Sequence, residues 1–397
     1  MHPVLSIGFH IIMQIIVWML LLNCLEGSRL IREESGKLRI RTWAVMFIYS
    51  LFALLPVAGA MLPPSPVKYS LQGWGDYFLG FFVYFGGIML IGWVVLRCAR
   101  FASGRKLMAA RRILVAVSLI AGLALLVYGV HHARQTKVIE YDITIPKDTG
   151  DVKETKIVLI SDLHLSVNTR YEHIARVVDM INAQEPDAVV IAGDIFTSSY
   201  EALKDPDRYS ALLSTIKAKD GVFAVYGNHD VEETLFGGFP ISPISQAFRS
   251  KQMEQFMEDS HFTVLYDEPA LIADGQIRIV GRIDGEKAGD GTTNRKAPAE
   301  VLEGADLSRP VIILEHEPVQ FKDLKEAGAD LALCGHTHAG QIFPGNLIVP
   351  FFNENAFGYR NVAGLDTIVS AGVGFYGPPM RIGTNSDISV VRIHTGK

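Results

Sequence analysis

The chain has 397 residues, 49% of them hydrophobic, with a net charge of −5 and only three cysteines. It is longer than one ordinary domain, and its mean hydropathy of +0.23 is high for a soluble enzyme, so the apolar excess must be concentrated somewhere. The charge balance offers no basic field for phosphate neutralisation, so no nucleic-acid partner is expected. Cys24 and Cys98 lie in or beside apolar runs and Cys334 stands alone in the polar half, so no intrachain disulfide is expected.

Residues 1–135 form the first expected domain, a transmembrane region with apolar stretches at about 4–25, 43–62, 77–98 and 113–131. Each approaches the ~20 residues a helix needs to cross ~30 Å of hydrocarbon. The first has no basic n-region and no small-residue cleavage site, so it reads as retained. Arg29, Arg32, Lys37, Arg39 and Arg41 fall between spans one and two, and Arg100, Arg105, Lys106, Arg111 and Arg112 between spans three and four. The intervening loop holds only Lys68, so the basic loops are expected in the cytoplasm. The chain then reads as a multi-pass cell-membrane protein with the bilayer as a partner and everything beyond about residue 135 extracytoplasmic. Arg134 and Lys137 reduce that asymmetry slightly. His10 and Gln14 share a helical face, and hydrogen bonding between helices is the expected reason, since no intramembrane carboxylate accompanies them.

Residues 136–397 form the second expected domain, of α/β class. Short β-branched runs at Lys156–Ser161, Ala188–Ala192, Val222–Tyr226, Ile277–Val280, Val311–Glu315 and Leu331–Cys334 predict strands. Amphipathic patterns over 170–184, 207–219, 244–259 and 318–327 predict helices, and Gly281–Lys296 reads as a mobile loop. Polar residues follow the strands closely: Asp162-Leu163-His164, Gly193-Asp194, Gly227-Asn228-His229-Asp230, His316, and Gly335-His336-Thr337-His338. Ligands of open α/β sheets bind beyond the carboxyl ends of strands, so five strand ends are expected to deliver these groups to one rim.

Asp162, His164, Asp194, Asn228, His316, His336 and His338 are therefore the candidate metal ligands. Carboxylate, imidazole and amide donors without thiolate suit Mn, Fe or Zn, and seven donors suit two ions better than one. A carboxylate such as Asp194 can bridge a pair of ions, which can then activate water for hydroxide attack on a phosphate ester. His229, the candidate catalytic residue, stands beside Asn228, where it can protonate the departing alkoxide or stabilise phosphoryl charge. Any one of these motifs alone is matched by a surface turn or a satisfied core histidine; all five in order, each behind an apolar strand, are not.

The ordered series over about residues 150–395 resembles the calcineurin-like metallophosphoesterase family, and the helices before it resemble that family's membrane-anchored bacterial branch. The resemblance implies a sandwich of two mixed β-sheets flanked by helices. It also implies Asp162, His164 and His338 on the first metal, Asp194 as bridge, Asn228, His316 and His336 on the second, and His229 as acid. One departure is Thr197, where many relatives carry an Asp that pairs with the catalytic histidine; Asp230 is one group that could take over this role. The alternative function is a tethered module that binds metal or ligand without turnover.

His131, His132, His173, His261 and His394 read as solvated or structural, and the glycines and prolines of Gly374–Pro379 as turn formers. Arg381 reads as a surface ion pair, with phosphate binding as the bolder option. The apolar run Leu235–Ile241 reads as packing beneath a loop, with a lipid-touching lip as the alternative; the lip would favour a lipid-linked phosphoester substrate.

Overall fold

The structure is a computed structural model that describes residues 3–26, 40–98, 104–236 and 239–396. Its contacts divide the chain into two compact units: Met1–His131 with Thr234–Ile241 and Gly377–Met380, and His132–Glu233 with Ser242–Tyr376 and Arg381–Lys397.

The first unit is built from α1 (Pro3–Glu26), α2 (Ile40–Ala53), α3 (Leu55–Met61), α4 (Pro66–Cys98) and α5 (Gly104–His132). Among the described residues, four segments are long and apolar enough to cross a membrane: Gly8–Glu26, Thr42–Met61, Pro66–Cys98 and Arg105–His132. The second of these is two helices in series, because Pro56 has no N–H to donate and α3 restarts around it. The third starts at Pro66, eleven residues before the expected span. Proline is tolerated at a helix start, where its missing N–H has no partner to lose, so most of the expected loop is the first part of α4. Val17, Leu21, Cys24, Met46, Phe78, Phe85 and Met89 form the interior of this unit, while Phe9, Ile12, Ile15, Ile120 and Val127 remain exposed, as lipid-facing positions would be. Gln14 accepts a hydrogen bond from the Tyr49 hydroxyl, joining α1 to α2. The basic residues 29, 32, 37, 39 and 100 lie outside the described residues.

The hairpin Leu235–Phe236/Phe239–Pro240 belongs to this helical unit. Phe236 is buried and meets the His10 ring edge-on at 5.2 Å. It packs on helices, neither beneath a loop nor exposed as a lip.

The second unit contains β1 (Thr136–Ile145), β2 (Glu154–Ile160), α6 (Tyr171–Asn182), β3 (Ala188–Ala192), α7 (Pro206–Leu213), β4 (Gly221–Val225), α8 (Lys251–Asp259), β5 (Thr263–Val264), β6 (Glu268–Ile272), β7 (Ile277–Gly281), β8 (Val311–Leu314), α9 (Phe321–Ala327), β9 (Leu331–Cys334), β10 (Gly358–Val362), β11 (Leu365–Val369) and β12 (Ser386–Thr395). Two six-stranded sheets form, in the orders β1-β12-β2-β3-β4-β5 and β10-β11-β9-β8-β7-β6. Both are mixed. β2, β3, β4 and β5 run parallel with β12 antiparallel beside β2, and β7, β8, β9 and β11 run parallel with β6 and β10 antiparallel at the edges.

The period of two along each strand explains the layering. Ile157 and Leu159 of β2 meet Ile312 and Leu314 of β8 and Leu331 and Leu333 of β9 between the sheets. The alternate residues Val158 and Ile160 face α6 and α8, and Val311, Ile313, Ala332 and Cys334 face α9. Strands buried on both faces read as continuous apolar runs, which is why these were visible in the sequence. The helix patterns at 207–219 and 244–259 overreach: α7 ends at Leu213, and α8 starts only after Ser250, whose side chain caps it by accepting from the Met253 amide.

Candidate metal centre

Each expected ligand follows a strand directly: Asp162 and His164 after β2, Asp194 after β3, Asn228 after β4, His316 after β8, His336 and His338 after β9. Asp162, His164, Asp194, His336 and His338 have φ of 52°, 46°, 52°, 75° and 49°. That left-handed region is costly for residues with a Cβ, and such strain persists only where the surroundings enforce it. Main-chain bonds between neighbouring turns do so here: the Asp162 amide donates to the Gly193 carbonyl at 2.9 Å, His164 to Asp194 at 3.0 Å, and Gly335 to His316 at 3.0 Å.

The glycines that precede the ligands leave room for this crowding. A Cβ on Gly227 would lie 2.3 Å from Asp194 Oδ1, and one on Gly193, whose φ is +79°, would lie 2.7 Å from His316 Nδ1. Neither position tolerates a side chain.

Two groups of donor atoms converge, Asp162/His164/His338 and Asp162/Asp194/His316, with the atoms of each group within 4.8 Å of one another. His338 Nε2 lies 3.3 Å from Asp162 Oδ1 and 3.0 Å from His164 Nε2. Asp194 Oδ2 stands between the groups, 3.5 Å from His164 Nε2 and 3.2 Å from His316 Nε2. Asn228 Oδ1 is 3.1 Å and His336 Nδ1 3.3 Å from His316 Nε2. All seven expected ligands are thus brought together.

Outer contacts aim these groups. His316 Nδ1 donates to the Ala192 carbonyl at 2.8 Å, leaving Nε2 free as a ligand. Asn228 Nδ2 donates to Glu286 at 3.0 Å, which turns its amide oxygen inward. Thr197 Oγ1 lies 3.1 Å from His164 Nδ1, so Thr197 serves a ligand instead of His229. Burial lowers His164 and His336 to about 3 and His338 well below its ordinary value, so these rings are neutral and ready to coordinate. Burial also pushes Asp162 up to about 6. Asp194 is held well below the carboxylate range because, against its burial, His316 and His229 face it; its charge in turn raises His316 against the effect of burial.

The donor set fits divalent metal. Asp162 Oδ1 is buried with no hydrogen-bond partner among the described residues, an orphaned acceptor facing imidazoles that a cation would satisfy. Two carboxylates, four imidazoles and one amide without sulfur are the ligands of a borderline or hard ion.

His229 is fixed on both sides. Its amide donates to Asp194 Oδ1 at 2.8 Å, its ring stacks on Tyr376 at 4.4 Å, and its Nδ1 lies 3.0 Å from Ser198 Oγ and 3.2 Å from Glu233 Oε1. Asp230 is not its partner: the Asp230 oxygens accept from the Phe196 amide at 2.7 Å and the Gly227 amide at 2.8 Å. Tyr376 and Glu233 carry no sequence motif and escape a linear reading. Tyr376 sits in a turn whose glycines and prolines mask it, held by paired bonds between its main chain and the Gln341 side chain.

Arg381 is fully buried and overturns both expectations for it. Its guanidinium donates to the carbonyls of His338, Ala371, Gly372, Gly374 and Asn385, tying the turn of a candidate ligand to the segment after β11. The expected loop Gly281–Lys296 begins on the last residue of β7 and beyond it has no helix or extended strand, but it is pinned: Arg282 pairs with Glu315 at 2.6 Å, Lys287 with Glu233 at 2.7 Å, and Asp267 accepts from the amides of Ile283 and Lys296. Of the other histidines, His173 is buried and bonds to the Val373 carbonyl, while His394 pairs with Asp142 and Glu154.

The chain is similar in sequence to known proteins. The family described as calcineurin-like phosphoesterase matches residues 155–340. An Aquifex aeolicus metallophosphoesterase is 31% identical over 251 residues, covering 63% of this chain and 87% of the relative. A Danio rerio transmembrane protein with metallophosphoesterase domain is 31% identical over 282 residues, covering 69% and 61%. The Chlamydia trachomatis UDP-2,3-diacylglucosamine pyrophosphatase LpxG is 26% identical over 239 residues, covering 52% and 70%. The chain spans about three fifths of the length of several curated relatives that it matches. With the strand-end donor groups, the two-sheet sandwich and these matches in agreement, the chain belongs to the calcineurin-like metallophosphoesterases.

Proposed function

We propose that this chain is a membrane-held phosphoesterase that works with two divalent ions, Mn, Fe or Zn, and that its substrate is a lipid-type phosphate ester. The observation that carries this reading is the convergence of seven donors from five strand ends around Asp162 and Asp194. Asp162, His164 and His338 would hold one ion, Asn228, His316 and His336 the other, with Asp194 between them. The ions, when bound, supply Lewis-acid charge to the phosphoryl oxygens and lower the pKa of water. The protein's own acid is His229, whose Nδ1 is engaged by Ser198 and Glu233 and whose Nε2 is left for the substrate. As the P–O bond to the leaving group breaks, the Nε2 proton passes to the departing oxygen. Water supplies the new oxygen on phosphorus, so an ester and water become an alcohol and a phosphate.

The lipid assignment is supported by four apolar helices in the same chain and by the relative named for a diacylglucosamine substrate. The Lys and Arg distribution supports placing the phosphoesterase unit outside the cytoplasm. The test uses the full chain in detergent, with bound metals measured and an aryl phosphodiester, an aryl phosphomonoester and a lipid phosphoester assayed with and without chelator and with His229→Ala. Hydrolysis that is lost on chelation and strongly reduced by His229→Ala is expected. Metal-free protein, or turnover indifferent to both changes, would refute the reading. A preference for the soluble ester over every lipid ester would remove the lipid assignment alone, and a reporter fused after Lys397 that is active only in the cytoplasm would reverse the orientation.

A further inference from the structure

We infer that Glu233 is the positioning carboxylate of His229, supplied from the chain downstream of the histidine and clamped by Ser198 and Lys287. The inference rests on the phosphoesterase reading above and deepens it.

Glu233 lies four residues after His229 and is fully shielded from solvent at its side chain. Its Oε1 is 3.2 Å from His229 Nδ1 and accepts from Ser198 Oγ at 2.8 Å. Lys287 Nζ reaches both carboxylate oxygens, at 2.8 and 2.7 Å, so the carboxylate cannot rotate away. The backbone fixes the same geometry: the Ser198 amide donates to the His229 carbonyl at 2.9 Å, and the Glu233 amide donates to the Ser198 carbonyl at 3.0 Å. A buried carboxylate without partners is costly; this one has three, each from a different segment.

The competing carboxylates are occupied. Asp230 is spent on two main-chain amides, and residue 197 is a threonine turned to His164. Glu233 is therefore the acidic group at hydrogen-bond distance from Nδ1. Its carboxyl is held below the ordinary glutamate value, since the His229 hydrogen bond and the Lys287 charge outweigh burial. Such a partner accepts from Nδ1–H and fixes the plane of the ring, so that the ring carrying protons on both nitrogens aims its Nε2–H at the leaving oxygen, as in hydrolases where a carboxylate orients a catalytic histidine.

The test compares wild type, Glu233→Gln, His229→Ala and the double variant, as full chains in detergent, on an aryl ester with a good leaving group and an alkyl ester with a poor one. A residue acting through the acid matters most where the leaving group most needs a proton. Glu233→Gln is expected to lower kcat on the alkyl ester by about 10–100-fold and on the aryl ester by less than about 3-fold, with KM and bound metal unchanged and no further loss when added to His229→Ala. Equal losses on both esters, or losses that multiply with those of His229→Ala, would overturn the inference. A separate readout needs no turnover: ring 15N–1H NMR should show the His229 Nδ1–H shifted downfield by its bond to a carboxylate in wild type and shifted back in Glu233→Gln, and identical spectra would overturn it. Indifference of wild-type hydrolysis to chelation and to His229→Ala would instead defeat the phosphoesterase reading.

Discussion

Thr197 Oγ1 lies 3.1 Å from His164 Nδ1, so the residue that interrupts the family's usual histidine–aspartate pair is an outer-shell partner of a candidate metal ligand. The hydroxyl fixes which nitrogen of His164 faces the metal centre, and the carboxylate for His229 comes from elsewhere in the chain. Thr197→Val preserves the shape and deletes the acceptor. Metal affinity should fall by about 10-fold, toward the lower end for such outer contacts, while the leaving-group dependence of turnover stays as in wild type. Metal titration followed by calorimetry measures the first, and a series of esters the second.

Gly227→Ala should deplete the centre of metal while the surrounding sheets persist. The added methyl would overlap Asp194 Oδ1 at 2.3 Å and the Asp194 amide at 2.6 Å, so Asp194 must move from between the two donor groups. A loss of at least about half of the bound metal by elemental analysis, with far-UV circular dichroism unchanged, is expected; full metal occupancy would contradict the assigned position of Asp194.

Arg381→Met should destabilise the phosphoesterase unit by about 3 kcal/mol, because it strands several buried carbonyls that the guanidinium now satisfies. Denaturant unfolding of the full chain in detergent, followed by tryptophan-independent circular dichroism, reads this out. Arg381→Lys should recover only part of the loss, since an ammonium cannot span the same set of acceptors.

Chelation should lower stability as well as activity. Ions that bind the folded centre and not the unfolded chain add about 2.7 kcal/mol at a concentration 100 times Kd. The melting temperature should fall on chelation and return with Mn or Zn, in step with hydrolysis. A melting temperature unaffected by chelator would count against resident metal.

Glu233 has a pH signature of its own. Its folded pKa lies below the ordinary 4.5, so its contribution to stability is present above about pH 4.5 and is lost as pH falls through the lower folded value. The stability gap between wild type and Glu233→Gln should therefore be constant near neutrality and narrow on acidification. A gap that widens toward acid would mean the carboxyl is protonated more easily in the fold than outside it.

Several features were legible in the linear chain because their signals are local. The inner strands β2, β3, β8 and β9 are buried on both faces, so they appear as apolar runs, and their ends carry candidate ligands. β1 and β12 were not legible: β1 carries Lys137, Glu140 and Asp142 and is stabilised by pairing with β12 in parallel, with Arg392 bonded to Glu140 and His394 to Asp142. That information lies some 250 positions away in the chain and cannot be read from either segment alone.

Hydrophobic period and residue type are local properties, so the four apolar segments, the α/β class and the seven candidate donors can be read along the chain. Tertiary structure alone decided which neighbours those donors meet. It gave Thr197 to His164, Glu233 to His229 and Arg381 to a set of buried carbonyls, because a partner across the fold is chosen by distance and unsatisfied hydrogen bonds, and neither is written in sequence order.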